Sequence, residues 1–66
     1  MAFAENVKSL REQRGLTQVE LAKLVGVTQP TIAQYEIGIK IPTIVIGVKL
    51  AESLETTCEE LIKSNV

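Results

Sequence analysis

Between Thr17 and Gly38 the residues TQVELAKLVGVTQPTIAQYEIG carry two short helical patterns separated by one glycine-centred turn. The first pattern opens on Thr17 with Glu20 three residues on, the spacing at which a hydroxyl and a carboxylate each satisfy an orphan backbone N–H at a helix start. Leu21, Ala22 and Val25 then recur at helical spacing and form one apolar stripe, while Glu20 and Lys23 fall outside it. Gly26 stands where a left-handed residue closes a helix at least cost. Val27 follows as an apolar plug, and Thr28 offers a hydroxyl N-cap to the second pattern. Pro30 suits the first turn of that helix, where its missing N–H costs nothing, although it pushes Gln29 toward extended backbone and makes Gln29 an alternative cap. Ile32 and Tyr35 lie three apart on the inner face, which leaves Gln29, Thr31, Ala33 and Gln34 on the outer one.

Size limits what such a pair of helices can belong to. A chain of 66 residues is expected to form a single domain over 1–66 with a thin core and no room for a catalytic cleft. A hydrophobic content of 45% excludes a disordered chain, and with only Phe3 and Tyr35 as aromatics the core must be built from Leu, Ile, Val and Ala. There is no histidine or aspartate and no glycine-rich phosphate loop, so no acid–base or nucleophile constellation can be assembled and an enzyme is not expected. One cysteine cannot form an internal disulfide or a zinc site. No metal, cofactor or small-molecule ligand is therefore expected, and the setting reads as reducing and cytoplasmic. The N-terminus lacks a charged segment followed by an apolar run, and no apolar stretch approaches the ~20 residues of a membrane helix.

The flanks complete a helical protein. Phe3, Val7 and Leu10 repeat at i, i+4 and i+7, predicting a first helix from about Ala4 to Arg14, stopped by Gly15, with Leu16 packing back. Ile37, Ile39 and Ile41 alternate through a loop that should face solvent or a partner, Ile41 being equally placed for burial beneath it. The stretch TIVIGV after Pro42 is rich enough in β-branched residues to read locally as a strand, and Gly47 weakens a helix by ~1 kcal/mol. A fourth helix is nonetheless assigned, because Ile44, Val48, Ala51 and Leu54 keep one inward face. Val45 and Ile46 then point outward and join Ile39 and Ile41 in a candidate dimer interface. Thr57 and Glu60 repeat the capping-box spacing and open a short final helix with Cys58, Leu61 and Ile62 inward. The expectation is an all-α, compact five-helix bundle.

The set Leu21, Ala22, Val25, Gly26, Val27, Ile32 and Tyr35 places a small residue where two helices cross, a glycine at the turn and apolar anchors at fixed offsets. With the words GLTQVELAKLVGVTQPTIAQYE and the G-x-x-x-P at Gly38–Pro42, it resembles the phage repressor and Cro helix-turn-helix (XRE) family over roughly residues 5–63. Within that family it is most similar to the DNA-binding domains of 434-type repressors, because glutamines open both motif helices and Gln34 recurs late in the second. The resemblance implies a lambda-repressor-like fold and sequence-specific binding of double-stranded DNA by a dimeric transcriptional regulator acting as a repressor. The recognition helix, about 28–36, would lie in the major groove. It also implies a partly buried ion pair between Arg11 and Glu36 that clamps the first helix to the recognition helix; the alternative for Arg11 is a phosphate contact. Finally, it places a phosphate against Gln18.

The chemistry of the motif residues bears on that expectation. A glutamine amide can donate to N7 and accept from N6 of adenine, a pattern no other base pair presents in the major groove. Gln29 leads the recognition helix and Gln34 lies farther along its edge, while Pro30, Thr31 and Ala33 can meet thymine methyls. Pro30 stands where relatives more often carry a polar residue. Outside this motif, exposed glutamines are ordinary surface residues. Thr17 and Gln18 sit at a helix N-terminus whose free N–H groups suit a phosphate oxygen, and Arg14 and Lys40 are further phosphate candidates. Lys8 and Lys23 read as solvated charges, as Arg14 otherwise would. Relatives place several basic residues after the recognition helix, and here only Lys40 remains. The net charge is −1: residues 1–42 hold five basic residues against four glutamates, and 43–66 hold two against four. That footprint predicts modest nonspecific affinity. A two-fold dimer would set two recognition helices roughly 34 Å apart and read a palindromic operator. The competing expectation is a protein-interaction module or antitoxin that uses the apolar Ile37–Ile46 surface.

Overall fold

Local capping signals place the helices of the computed structural model, which describes residues 3–63 and holds five of them: α1 (Phe3–Gln13), α2 (Gln18–Val25), α3 (Gln29–Ile37), α4 (Ile44–Ser53) and α5 (Cys58–Ile62). At the start of α2 both halves of the capping box form, Glu20 N donating to Thr17 Oγ1 at 3.0 Å and Thr17 N to a Glu20 carboxylate oxygen at 2.8 Å. These bonds, the backbone one foremost, hold the Glu20 carboxyl below the usual carboxylate range. Gly26 closes α2 in the left-handed conformation, φ +86°.

Thr28 is the N-cap of α3, but its hydroxyl caps no backbone amide. Pro30 has no N–H to offer, and the Thr31 N–H is taken by the Thr28 carbonyl at 3.1 Å. The Thr28 hydroxyl pairs instead with that of Thr31 at 2.9 Å.

The core gathers Phe3 and Val7 of α1, Leu21, Ala22 and Val25 of α2, Ile32 and Tyr35 of α3, Leu50 and Ala51 of α4, and Leu54 and Leu61. Helix α3 packs on α1 and α2, α4 on α2 and α5, and α1 on α5. The Phe3 and Tyr35 rings meet edge to face with centroids 6.4 Å apart, joining α1 to α3. Burial there raises the Tyr35 phenol above its ordinary pKa. Among the described residues no helix is long and apolar enough to cross a membrane.

Three expectations are corrected. The inward face of α4 is Leu50, Ala51 and Leu54 with Ile46 packed against the core, whereas Ile44 is 87% exposed and Val48 is also exposed. From 44 to 48 every residue is apolar or glycine, so periodicity has no phase there; Leu50 and Leu54 set it, and Ile46 falls on their face by the i, i+4 rule. Ile46 is therefore partly committed to the core, and Ile44 takes the outward place expected of it. In α5 only Leu61 is buried; Cys58 and Ile62 share its side by the i, i+3 and i+4 rule but border the open groove beside Phe3 and Ile44, so they stay exposed. Arg14 is not offered to solvent as a free cation: it donates to Leu54 O at 3.2 Å and to Glu55 O at 3.5 Å and faces the Glu55 carboxylate at 3.6 Å, closing the end of α4.

The end of α5 is held in a related way by Asn6, whose Nδ2 donates to Leu61 O at 2.8 Å, Lys63 O at 2.9 Å and Glu60 O at 3.3 Å. Helix ends leave carbonyls without partners, and here α1 supplies the donors.

Candidate nucleic-acid interface

Helices α2 and α3 both begin with glutamine, and the turn at Gly26 to Thr28 brings those two starts side by side. Gln29 Nε2 donates to Gln18 Oε1 at 2.7 Å, and Gln18 Nε2 donates to Glu36 Oε1 at 3.1 Å. Glu36 in turn accepts from Arg11 Nε on Oε2 at 2.7 Å and from Nη2 on Oε1 at 3.1 Å, while Arg11 Nη1 donates to Leu16 O at 2.7 Å. One continuous chain of bonds therefore runs from α1 through the inner side of α3 to α2 and back to the leading end of α3. The Arg11 and Glu36 side chains are 12% and 3% exposed. The Glu36 hydrogen bond raises the already high pKa of Arg11, so the guanidinium keeps its charge. Breaking one half of so buried a pair typically costs about 3–5 kcal/mol.

Along α3 the outward residues follow from the buried ones. With Ile32, Tyr35 and Glu36 turned in, Gln29, Thr31, Ala33 and Gln34 are half-buried and Pro30 is exposed. Gln29, Pro30, Ala33 and Gln34 share one edge by the i, i+4 rule. Beside it lies the N-terminus of α2, where Thr17 is exposed and the backbone N–H groups of Gln18 and Val19 have no acceptor within the helix. Lys40 is exposed in the segment between α3 and α4, and Lys8 and Lys23 are exposed on their helices. The Gln18 side chain, expected at a phosphate, already serves Gln29 and Glu36.

Ile39, Ile41 and Val45 are exposed, as are Ile37 and Ile44. Ile41 and Ile44 wall, with Gly47 and Ile62, a groove of about 240 Å³ that reaches Phe3 and Leu61.

Sequence reasoning missed the amide chain and the Asn6 anchor. A glutamine at the first position of each motif helix was a usable signal for the former, once the helix starts are set side by side. Asn6 had none, because its partners lie more than fifty residues away.

Residues 7–61 match the family model described as helix-turn-helix (HTH_3). The chain is 33% identical over 61 residues to the uncharacterised HTH-type transcriptional regulator YqaE of Bacillus subtilis strain 168, covering 92% of this chain and 53% of that protein. The chain thus spans about half the length of YqaE. It is 39% identical over 60 residues to the antitoxin HipB of Escherichia coli K12, covering 86% of this chain and 68% of HipB. The crystal structure of the P22 c2 repressor protein in complex with synthetic operator 9T, in the presence of Tl+, superposes with a TM-score of 0.92 at 25% identity over 96% of each chain.

Proposed function

The chain belongs to the helix-turn-helix family, and on that membership we propose that it binds double-stranded DNA sequence-specifically, as a dimeric transcriptional regulator with α3 in the major groove. The observation that carries this reading is the Gln29 amide, half-buried at the leading end of α3 and held there by Gln18. An amide so presented meets adenine N6 and N7, and Gln34 extends the contact about a turn and a half along, with Pro30, Thr31 and Ala33 toward thymine methyls. The open N–H groups of Gln18 and Val19 beside Thr17 receive one phosphate oxygen, and Lys40 another. Arg14, spent on the end of α4, is left out of this set. The likeness to the P22 c2 repressor protein in complex with a synthetic operator supports the same reading, including the role of a repressor. In this reading the protein works in the cytoplasm, where it meets its DNA.

Ile39, Ile41 and Val45, joined by Ile44 in place of Ile46, form the dimer surface in this reading. Two copies related by a two-fold axis read a palindrome and double the phosphate contacts of a chain with net charge −1.

The test is selection of bound duplexes from a random pool at two salt concentrations, with the Gln29→Ala, Gln34→Ala double variant alongside. The expected result is an enriched palindrome that the variant no longer selects. No enrichment at either salt would reject the reading in favour of a second one, a protein-binding antitoxin, for which the exposed isoleucines and the HipB likeness speak.

A further inference from the structure

We infer that Glu36, which lies inside the protein and faces no base, determines which base Gln29 reads. The inference rests on Gln29 being a base contact, as proposed above. It follows from the direction of the hydrogen bonds. An ionised carboxylate has acceptors only, whereas a glutamine amide has an acceptor end and a donor end that differ little in shape. Glu36 therefore compels Gln18 to approach with its NH2 group, as seen at 3.1 Å. Gln18 must then turn its oxygen toward Gln29, and Gln29 must answer with its own NH2, as seen at 2.7 Å. What remains outward on Gln29 is Oε1 and one N–H. That pair complements adenine, which offers a donor at N6 and an acceptor at N7.

Were the chain reversed, Gln29 would give its oxygen to Gln18 and show two N–H groups outward. Two donors complement guanine, whose O6 and N7 both accept. The charge on Glu36 thus selects between two readings of one side chain, acting through Gln18 across the α2–α3 turn. Arg11 does not carry this information, because it donates to the carboxylate and contributes no polarity to the amides beyond it. Glu36 is a positioning residue for specificity as well as half of the ion pair.

Glu36→Met removes the acceptor at similar side-chain length. An amide at this position would not serve, because Oε1 accepts from both Gln18 Nε2 and Arg11 Nη2 and an amide would keep its oxygen there. Dissociation constants are measured on the duplex selected by the wild type and on its A·T-to-G·C variant, at the base pair whose preference Gln29→Ala abolishes. The wild type is expected to favour adenine about tenfold, within the range one bidentate amide contact supplies. Glu36→Met leaves the Gln18 amide free to take either direction and should bring adenine and guanine level, while Arg11→Lys, which weakens the same ion pair but keeps the carboxylate, should retain the adenine preference. An unchanged ratio in Glu36→Met, or equal loss in Arg11→Lys, overturns the inference. If melting shows Glu36→Met unfolded, Gln18→Met cuts the chain without touching the ion pair: collapse of the adenine preference supports the inference, and its persistence overturns it. Failure of the underlying DNA reading is distinguishable, because then the wild type itself selects no sequence.

Discussion

Asn6 and Tyr35 show how much a single side chain can contribute away from the DNA-facing edge. Asn6 is buried and its amide nitrogen is the donor for the last carbonyls of α5, so Asn6→Ala leaves at least one buried acceptor unpaired. The expected loss is about 1–3 kcal/mol in urea unfolding, with α5 amides exchanging first; an unchanged midpoint would show that solvent replaces the bonds. Tyr35 is buried against Phe3 and its phenol pKa is raised by desolvation, so the folded state favours the neutral form. The sign follows: this stabilisation is fully present below the ordinary phenol pKa of about 10 and is lost as pH rises through the raised value. Tyr35→Phe should therefore lose less stability than the wild type between about pH 10 and pH 12. Parallel losses would exclude Tyr35 as the titrating group. Neither role is visible in the residues flanking Asn6 or Tyr35, because both depend on what another helix brings.

Helix boundaries were legible, and the rotation of α4 was not. Thr17 with Glu20, Gly15, Gly26, Gly38, Thr43 and Thr57 act on backbone groups within a few residues of themselves, so their positions in sequence suffice to mark starts and stops. In α4 the run Ile44 to Val48 is apolar on every side, and only contact with α2 and α5 turns Ile46 inward and Ile44 outward. Gly47 sits in that helix with negative φ, and a Cβ added there meets nothing within 4 Å. Gly47→Ala is expected to stabilise the protein by about 0.5–1 kcal/mol and raise the midpoint of thermal unfolding by a few degrees. A lower midpoint would mean that α4 depends on flexibility at Gly47.

For the whole molecule, Ile37, Ile39, Ile41, Ile44 and Val45 are all exposed between α3 and the first turn of α4, and contact with a second copy would cover them. Ile44→Glu with Val45→Glu changes two exposed residues that contribute nothing to the core, so thermal stability of the monomer should shift by no more than about 0.5 kcal/mol per site. Sedimentation is expected to show a monomer where the wild type is a dimer, with weaker binding to a full palindrome. A dimer that survives both charges places the interface elsewhere. The same variant separates the two functional readings, since a protein partner docked on these residues would be lost while binding to a half-site duplex persists.

The residues alone specified an all-α chain, its helix order and its family, because capping, turn glycines and apolar spacing are short-range and act on the backbone directly. They also marked Gln29 and Gln34 as candidate readers from amide chemistry and position. Tertiary structure decided the rotation of α4, the exposure of Cys58 and Ile62, the use of Arg14 at a helix end, and the joining of Gln29 to Gln18, Glu36 and Arg11. Each of these depends on side chains 11 to 41 residues apart, or on which of several equally apolar faces finds a neighbour, and such choices are made only when the helices pack.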